Sequence, residues 1–163
     1  MAKKLLVVVV VAGVLALGAT SVVMAQSDPH VGTWKLNREK SKITPPPTNP
    51  PAQSVMRTYE PFEGKGIKAT FVTITADGKR LTSTYSAHFD GTDYPYSGDT
   101  NLTAISLKRV DAYTWSATNK GAGKAMNTGT NSVSKDGKTL TWSFKGTNAQ
   151  GQAVTGVQVF ERQ

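Results

Sequence analysis

The chain reads as an all-β protein, a single antiparallel up-and-down β-barrel of roughly eight to ten strands. Three observations predict this. Apolar and polar residues alternate over most of the length, the period of a strand with one buried face. Turn-forming pairs interrupt the alternation at short intervals. No stretch beyond the first two dozen residues carries a helical period. A meander of this kind closes as a barrel or folds as a sandwich, and the two chain ends, taken up below, favour the barrel.

The runs place strands near 31–37, 54–62, 66–76, 80–89, 103–110, 113–119, 124–134, 138–147 and 152–162, with a short tenth at 92–97. The first holds Gly32-Thr33-Trp34. It is followed by "ITPPPTNPPAQ", Ile43 to Gln53, whose prolines supply no ladder donor and fix φ, so the segment is an extended loop. Leu81, Ser83, Tyr85, Ala87 and Phe89 share one face against Thr82, Thr84, Ser86 and His88. Tyr113, Trp115 and Ala117 share another, and so do Leu140, Trp142 and Phe144. The opposite faces are rich in threonine, which favours strands. "ADGK" (76–79) and "KDGK" (135–138) carry Asp-Gly, which accepts positive φ in a hairpin.

The opening "MAKKLLVVVVVAGVLALGATSVVMAQ" has two lysines, a long uncharged apolar run and a Val23-Met24-Ala25 tripeptide. This is the pattern of a cleavable secretory leader, residues 1–25, which would send residues 26–163 to the periplasm or the cell exterior. An uncleaved anchor is the rival, since Leu5 to Val23 approaches the ~20 residues of a membrane span. With the leader removed, no stable membrane insertion is expected. Removal of 25 of the 163 residues leaves 138, a size for one domain with one core.

The leader takes Lys3 and Lys4 with it, so the formal net charge falls from +8 to +6. The remaining cations are scattered; the nearest to a cluster is Lys35, Arg38, Lys40 and Lys42 on a solvated strand end. Nucleic-acid binding calls for a denser basic stripe and is not expected. There is no cysteine, so neither a disulfide scaffold nor a lipid-anchored cysteine is available.

The pairing of Gly32-Thr33-Trp34 with a final run "VTGVQVFERQ" resembles the calycin plan of lipocalins and fatty-acid-binding proteins. In that plan the first-strand Trp plugs one barrel end and an Arg of the last strand packs across it. The resemblance gives those roles to Gly32, Trp34 and Arg162. An indole under a guanidinium gains cation–π energy, and the contact ties the first strand to the last, as closure requires. The pattern "GTWKLN…KSK…DGK…DYP…LKRVD…KDGKTLT" is also similar to short exported bacterial proteins of lipocalin-like type without a settled function. Two departures matter. The proline-rich loop stands where fatty-acid-binding proteins insert a helical lid. Gln158-Val159-Phe160 stands where they carry an Arg-x-Tyr carboxylate clamp. Thr92-Asp93-Tyr94 spells a lipocalin motif but falls too early, in what reads as a hairpin turn.

Strand parity turns Arg57, Tyr59, Phe71, Tyr85, Trp115, Trp142 and Phe144 inward, as an apolar, aromatic ligand site with a few polar groups or as a dry core. "KAMNTGTNSV" (124–133) is poor in large side chains, which leaves interior volume; a Gly129 bend is the competing explanation. No catalytic residue, metal site or cofactor is expected. His30 and His88 read as solvent-facing, without an evident carboxylate partner, and no Gly-x-Ser-x-Gly elbow or metal-spaced set is present. Asp90, Asp93 and Asp99 read as turn formers. The expected function is an exported, non-enzymatic protein holding a small hydrophobic or amphipathic ligand. The alternative is an envelope interaction protein with a filled barrel, and no protein partner can be named for it from the sequence.

Overall fold

The structure, a computed structural model, describes residues 28–46, 51–99, 101–147 and 151–163. The leader at 1–25 lies outside the described residues, as does part of the proline-rich loop. Ten strands follow in chain order: β1 Gly32–Thr44, β2 Ser54–Phe62, β3 Gly66–Ile74, β4 Arg80–Ala87, β5 Asp90–Ser97, β6 Ala104–Asp111, β7 Thr114–Gly121, β8 Lys124–Val133, β9 Thr139–Thr147 and β10 Ala153–Arg162. Each pairs antiparallel with its neighbours in sequence, and β1 pairs with β10 to close the ring. The sandwich is therefore excluded. Among the described residues no helix is long and apolar enough to cross a membrane.

Alternation sets the interior. Trp115 and Leu140 are fully buried, and Tyr59, Tyr85, Ile105, Leu107 and Phe160 join them in one core. Burial of each large side chain contributes about 1.5–3 kcal/mol, which replaces the covalent staples the chain lacks. Leu81 keeps the inward parity of its run but sits at the strand end, where it is exposed. Both Asp-Gly pairs lie in five-residue loops with the glycine in the left-handed region, φ 83° at Gly78 and 70° at Gly137. Each loop is pinned by the same bonds: Gly78 N–H donates to the Thr75 carbonyl and Gly137 N–H to that of Ser134.

Several boundaries differ from the sequence reading. β1 runs on to Thr44, because an irregularity between Asn37 and Lys42 lets it stay paired with β10 across a four-residue bulge. Ser41 holds that bulge, donating to the Asn37 carbonyl at 2.6 Å and accepting from Val159 N–H at 2.9 Å. Lys40, one of the clustered cations, pairs with Glu161 at 2.9 Å. Thr92-Asp93-Tyr94 lies within β5 and not in a turn; Asp93 is a mid-strand residue that pairs with Lys120 at 2.8 Å. Gly129 is explained by close approach, since a Cβ there would meet the Ser143 carbonyl and the Phe144 backbone. The junctions of the ring are unequal. β4 and β5 share only the pairs Thr84↔Ser97 and Tyr85↔Tyr96.

One end of the barrel is plugged. Trp34 is fully buried, its indole N–H donates to the His30 carbonyl at 2.8 Å, and the Arg162 guanidinium lies 4.1 Å from the indole ring centre. Arg162 also donates to the carbonyls of Gly137, Val31 and Pro29 at 2.6, 2.8 and 2.7 Å. Gly32 has φ 134°, a conformation L side chains rarely adopt, and a Cβ there would strike the Arg162 guanidinium. The glycine is needed so that the arginine can pass.

Candidate functional site

Beneath Trp115 lies a group the sequence reading misplaces. His30 does not face solvent: it is fully buried, stacked on Trp115 with ring centres 3.8 Å apart. It also has a carboxylate partner. Nδ1 lies 2.9 Å from Asp28 Oδ1, and Nε2 lies 3.3 Å from the Asn131 carbonyl. The Asp28 carboxylate also pairs with Arg109, whose guanidinium covers Phe89 at 3.8 Å. The segment Asp28-Pro29-His30 thus turns under the barrel and seals it. His88 is half-buried between Phe62 and Tyr94, with Glu63 3.9 Å away.

Burial pushes the Asp28 carboxyl up, but hydrogen bonds from the His30 ring and backbone and from Arg109 outweigh it and hold the group at about 2. A carboxyl depressed in the fold stabilises it fully above its unfolded value and loses that contribution as pH falls through the folded one. The plug should therefore weaken between about pH 3.8 and 2. Acid titration of wild type against Asp28→Asn will check this. The variant should have lost that part of the acid dependence, and equal acid profiles would refute the assignment.

Above the plug, a cavity of about 280 Å³ opens toward the other end of the barrel. All seven inward residues named from the sequence line it: Arg57, Tyr59, Phe71, Tyr85, Trp115, Trp142 and Phe144. Phe71, Tyr85 and Tyr96, on β3, β4 and β5, make one aromatic wall, with ring centres 5.7 to 6.0 Å apart. Trp142 and Phe144, on β9 across the ring, stack at 5.9 Å and 12° to form the facing wall. Between them β7 and β8 contribute Ala117, Asn119, Asn127 and Asn131, and these small side chains leave the space open. Asp99 and Leu102, in the β5–β6 connection, also line the cavity.

The polar groups are few and specific. Asn131 Nδ2 donates to the Tyr59 hydroxyl at 2.9 Å, and Asn119 Nδ2 to Asn127 Oδ1 at 2.7 Å. Burial raises the Tyr85 phenol well above its ordinary value and the Tyr96 phenol to about 12, so both stay neutral. Arg57 Nη2 donates to Gln158 Oε1 at 2.8 Å. Four buried side-chain polar atoms among the described residues have no protein partner: Arg57 Nε, Trp115 Nε1 and Asn131 Oδ1, on residues that line the cavity, and Arg109 Nη1. Sequence reasoning missed Tyr96, which the short tenth strand brings inward, and the three asparagines, whose type gave no reason to place them inside.

A second recess, of about 840 Å³, lies outside the plug, between Pro29, Val31, Pro61, Phe89, Arg109 and Tyr113. Arg109, over the Trp115 ring at 5.3 Å, stands between the two spaces. Among the described residues no group of His, Cys, Asp or Glu is arranged to hold a metal ion.

A plugged, ten-stranded antiparallel barrel with an internal aromatic cavity is a lipocalin-like, calycin-type fold. Structures of two single-residue variants of the fluorescent protein UnaG share it. They align with TM-scores of 0.54 and 0.50 at 12% identity, over 83% and 81% of this chain and 96% and 94% of theirs. Lobster apocrustacyanin A1 aligns at a TM-score of 0.45 and 14% identity, over 85% of this chain and 64% of its own. No protein-family model matches the chain, and no curated protein matches it in sequence.

Proposed function

We propose that this is an exported, non-enzymatic binding protein that holds a small apolar or amphipathic molecule in the central cavity. The observation that carries the reading is the cavity itself: two facing aromatic walls bound a space left open by small side chains, and three of the residues that line it each carry a buried polar atom without a protein partner. A dry core would be expected to fill such volume and to pair such groups. The cavity lies near the lower end of the range for small-molecule sites. The Asp28–His30 pair supports a non-enzymatic role, because His30 Nε2 faces a main-chain carbonyl and its ring is covered by Trp115, leaving no nitrogen for a bound molecule. Export rests on the leader pattern alone.

Native mass spectrometry of residues 26–163, purified from the envelope of the host and compared with the denatured sample, tests the reading. A stoichiometric extra mass lost on unfolding is expected. A bare protein whose Trp115 and Trp142 fluorescence also ignores saturating N-phenyl-1-naphthylamine, a neutral apolar probe, would overturn it in favour of a filled barrel acting through its surface.

A further inference from the structure

We propose that the molecule this cavity takes is a compact aromatic carboxylate, with Arg57 as the residue that receives its anionic group. The inference rests on the cavity being a binding site, and it names the chemistry of the occupant.

Arg57 is set apart from the arginines at the plug. Arg109 pairs with Asp28, and Arg162 donates to three main-chain carbonyls. Arg57 points into the barrel between Phe160 and Phe71, 4.1 and 5.4 Å from their ring centres. Its one hydrogen bond is to a neutral amide, Gln158, and its Nε is buried without a partner. No carboxylate among the described residues forms an ion pair with it. Asp99, the one acid among the described residues that line the cavity, accepts instead from the N–H groups of Asn101 and Leu102 at 2.7 and 3.1 Å. The Arg57 side chain is half-buried; drawing a cation part-way out of water without a counter-charge is unfavourable, and such charges in proteins are ordinarily paired. Here the structure supplies every part of the pair except the anion. A guanidinium fork is matched by a planar carboxylate, which takes two parallel N–H donors.

Size and walls narrow the rest. The volume of about 280 Å³ corresponds to on the order of nine water molecules. That suits one or two rings better than a long acyl chain, and the facing aromatic walls favour a flat molecule.

The test is calorimetric titration of wild type, Arg57→Met and Arg57→Gln with 4-hydroxycinnamate and with its neutral amide. Near-ultraviolet circular dichroism verifies that the variants are folded. Wild type should bind the acid about tenfold or more tightly than the amide, and the folded variants should lose that preference. The wild-type comparison stands even if neither variant folds. Equal binding of acid and amide by wild type, or a preference kept by a folded variant, overturns the anion assignment and leaves the cavity reading intact. Refusal of both with N-phenyl-1-naphthylamine accepted overturns the aromatic-acid assignment alone. Refusal of all three overturns both.

Discussion

Trp34→Ala is expected to destabilise the protein by about 3–5 kcal/mol, the range for removal of a large aromatic from a packed interior. Against a total stability of about 5–15 kcal/mol for a domain, that is a large fraction. Three losses combine. The fully buried indole leaves a void, the His30 carbonyl loses its donor, and the Arg162 guanidinium loses the face it covers. Trp34 is also the register partner of both Arg162 on β10 and Arg57 on β2, so the void opens where the ring closes. Urea unfolding provides the measurement. The midpoint should fall with the slope unchanged. A loss under about 1 kcal/mol, the range of surface positions, would contradict the closure described here.

His30→Ala should be the second costly change, and His30→Phe should separate its causes. Alanine removes the ring stacked on Trp115, takes the imidazole from the Asn131 carbonyl, and leaves Asp28 Oδ1 with only the main-chain N–H of residue 30. Each hydrogen bond lost costs roughly 0.5–1.5 kcal/mol, more where the partner is charged. Phenylalanine restores the stacked ring and neither hydrogen bond. The expected order of stability is wild type, then Phe, then Ala, read from the same urea curves. Phe equal to wild type would show that the polar contacts contribute nothing. A solvent-exposed histidine would give three superimposable curves.

Much of the fold is legible in the sequence because a period of two is hard to disguise. Leu140, Trp142 and Phe144 face the interior, and so do Trp115 with Ala117 and Tyr85 with Ala87, as their alternation requires. The seven inward residues meet around one cavity for the same reason. What alternation does not reach is lost. His30 precedes β1, so no strand parity bears on it, and its burial depends on Asp28 and Asn131, the latter 101 residues distant. β1 extends past its bulge because of Ser41, a residue whose type predicts no such role. Asn119, Asn127 and Asn131 have inward parity, but asparagine is mostly a surface residue, and their pairing across strands emerges only once β7, β8 and β2 are assembled.

A ring with unequal junctions does not fluctuate evenly. Local opening is least costly where the fewest ladder bonds must break. Here that is the β4–β5 junction, held by two residue pairs, one of them Tyr85↔Tyr96, whose rings line the cavity. The β1–β10 pairing that closes the ring, by contrast, lies on the other side of the barrel. Transient parting of β4 and β5 thus opens the cavity wall at Tyr85 and Tyr96 while the β1–β10 pairing stays intact. Access to the cavity and global stability therefore fall under separate structural control: substitutions along the seam act on the first, and substitutions at Trp34 and Arg162 act on the second.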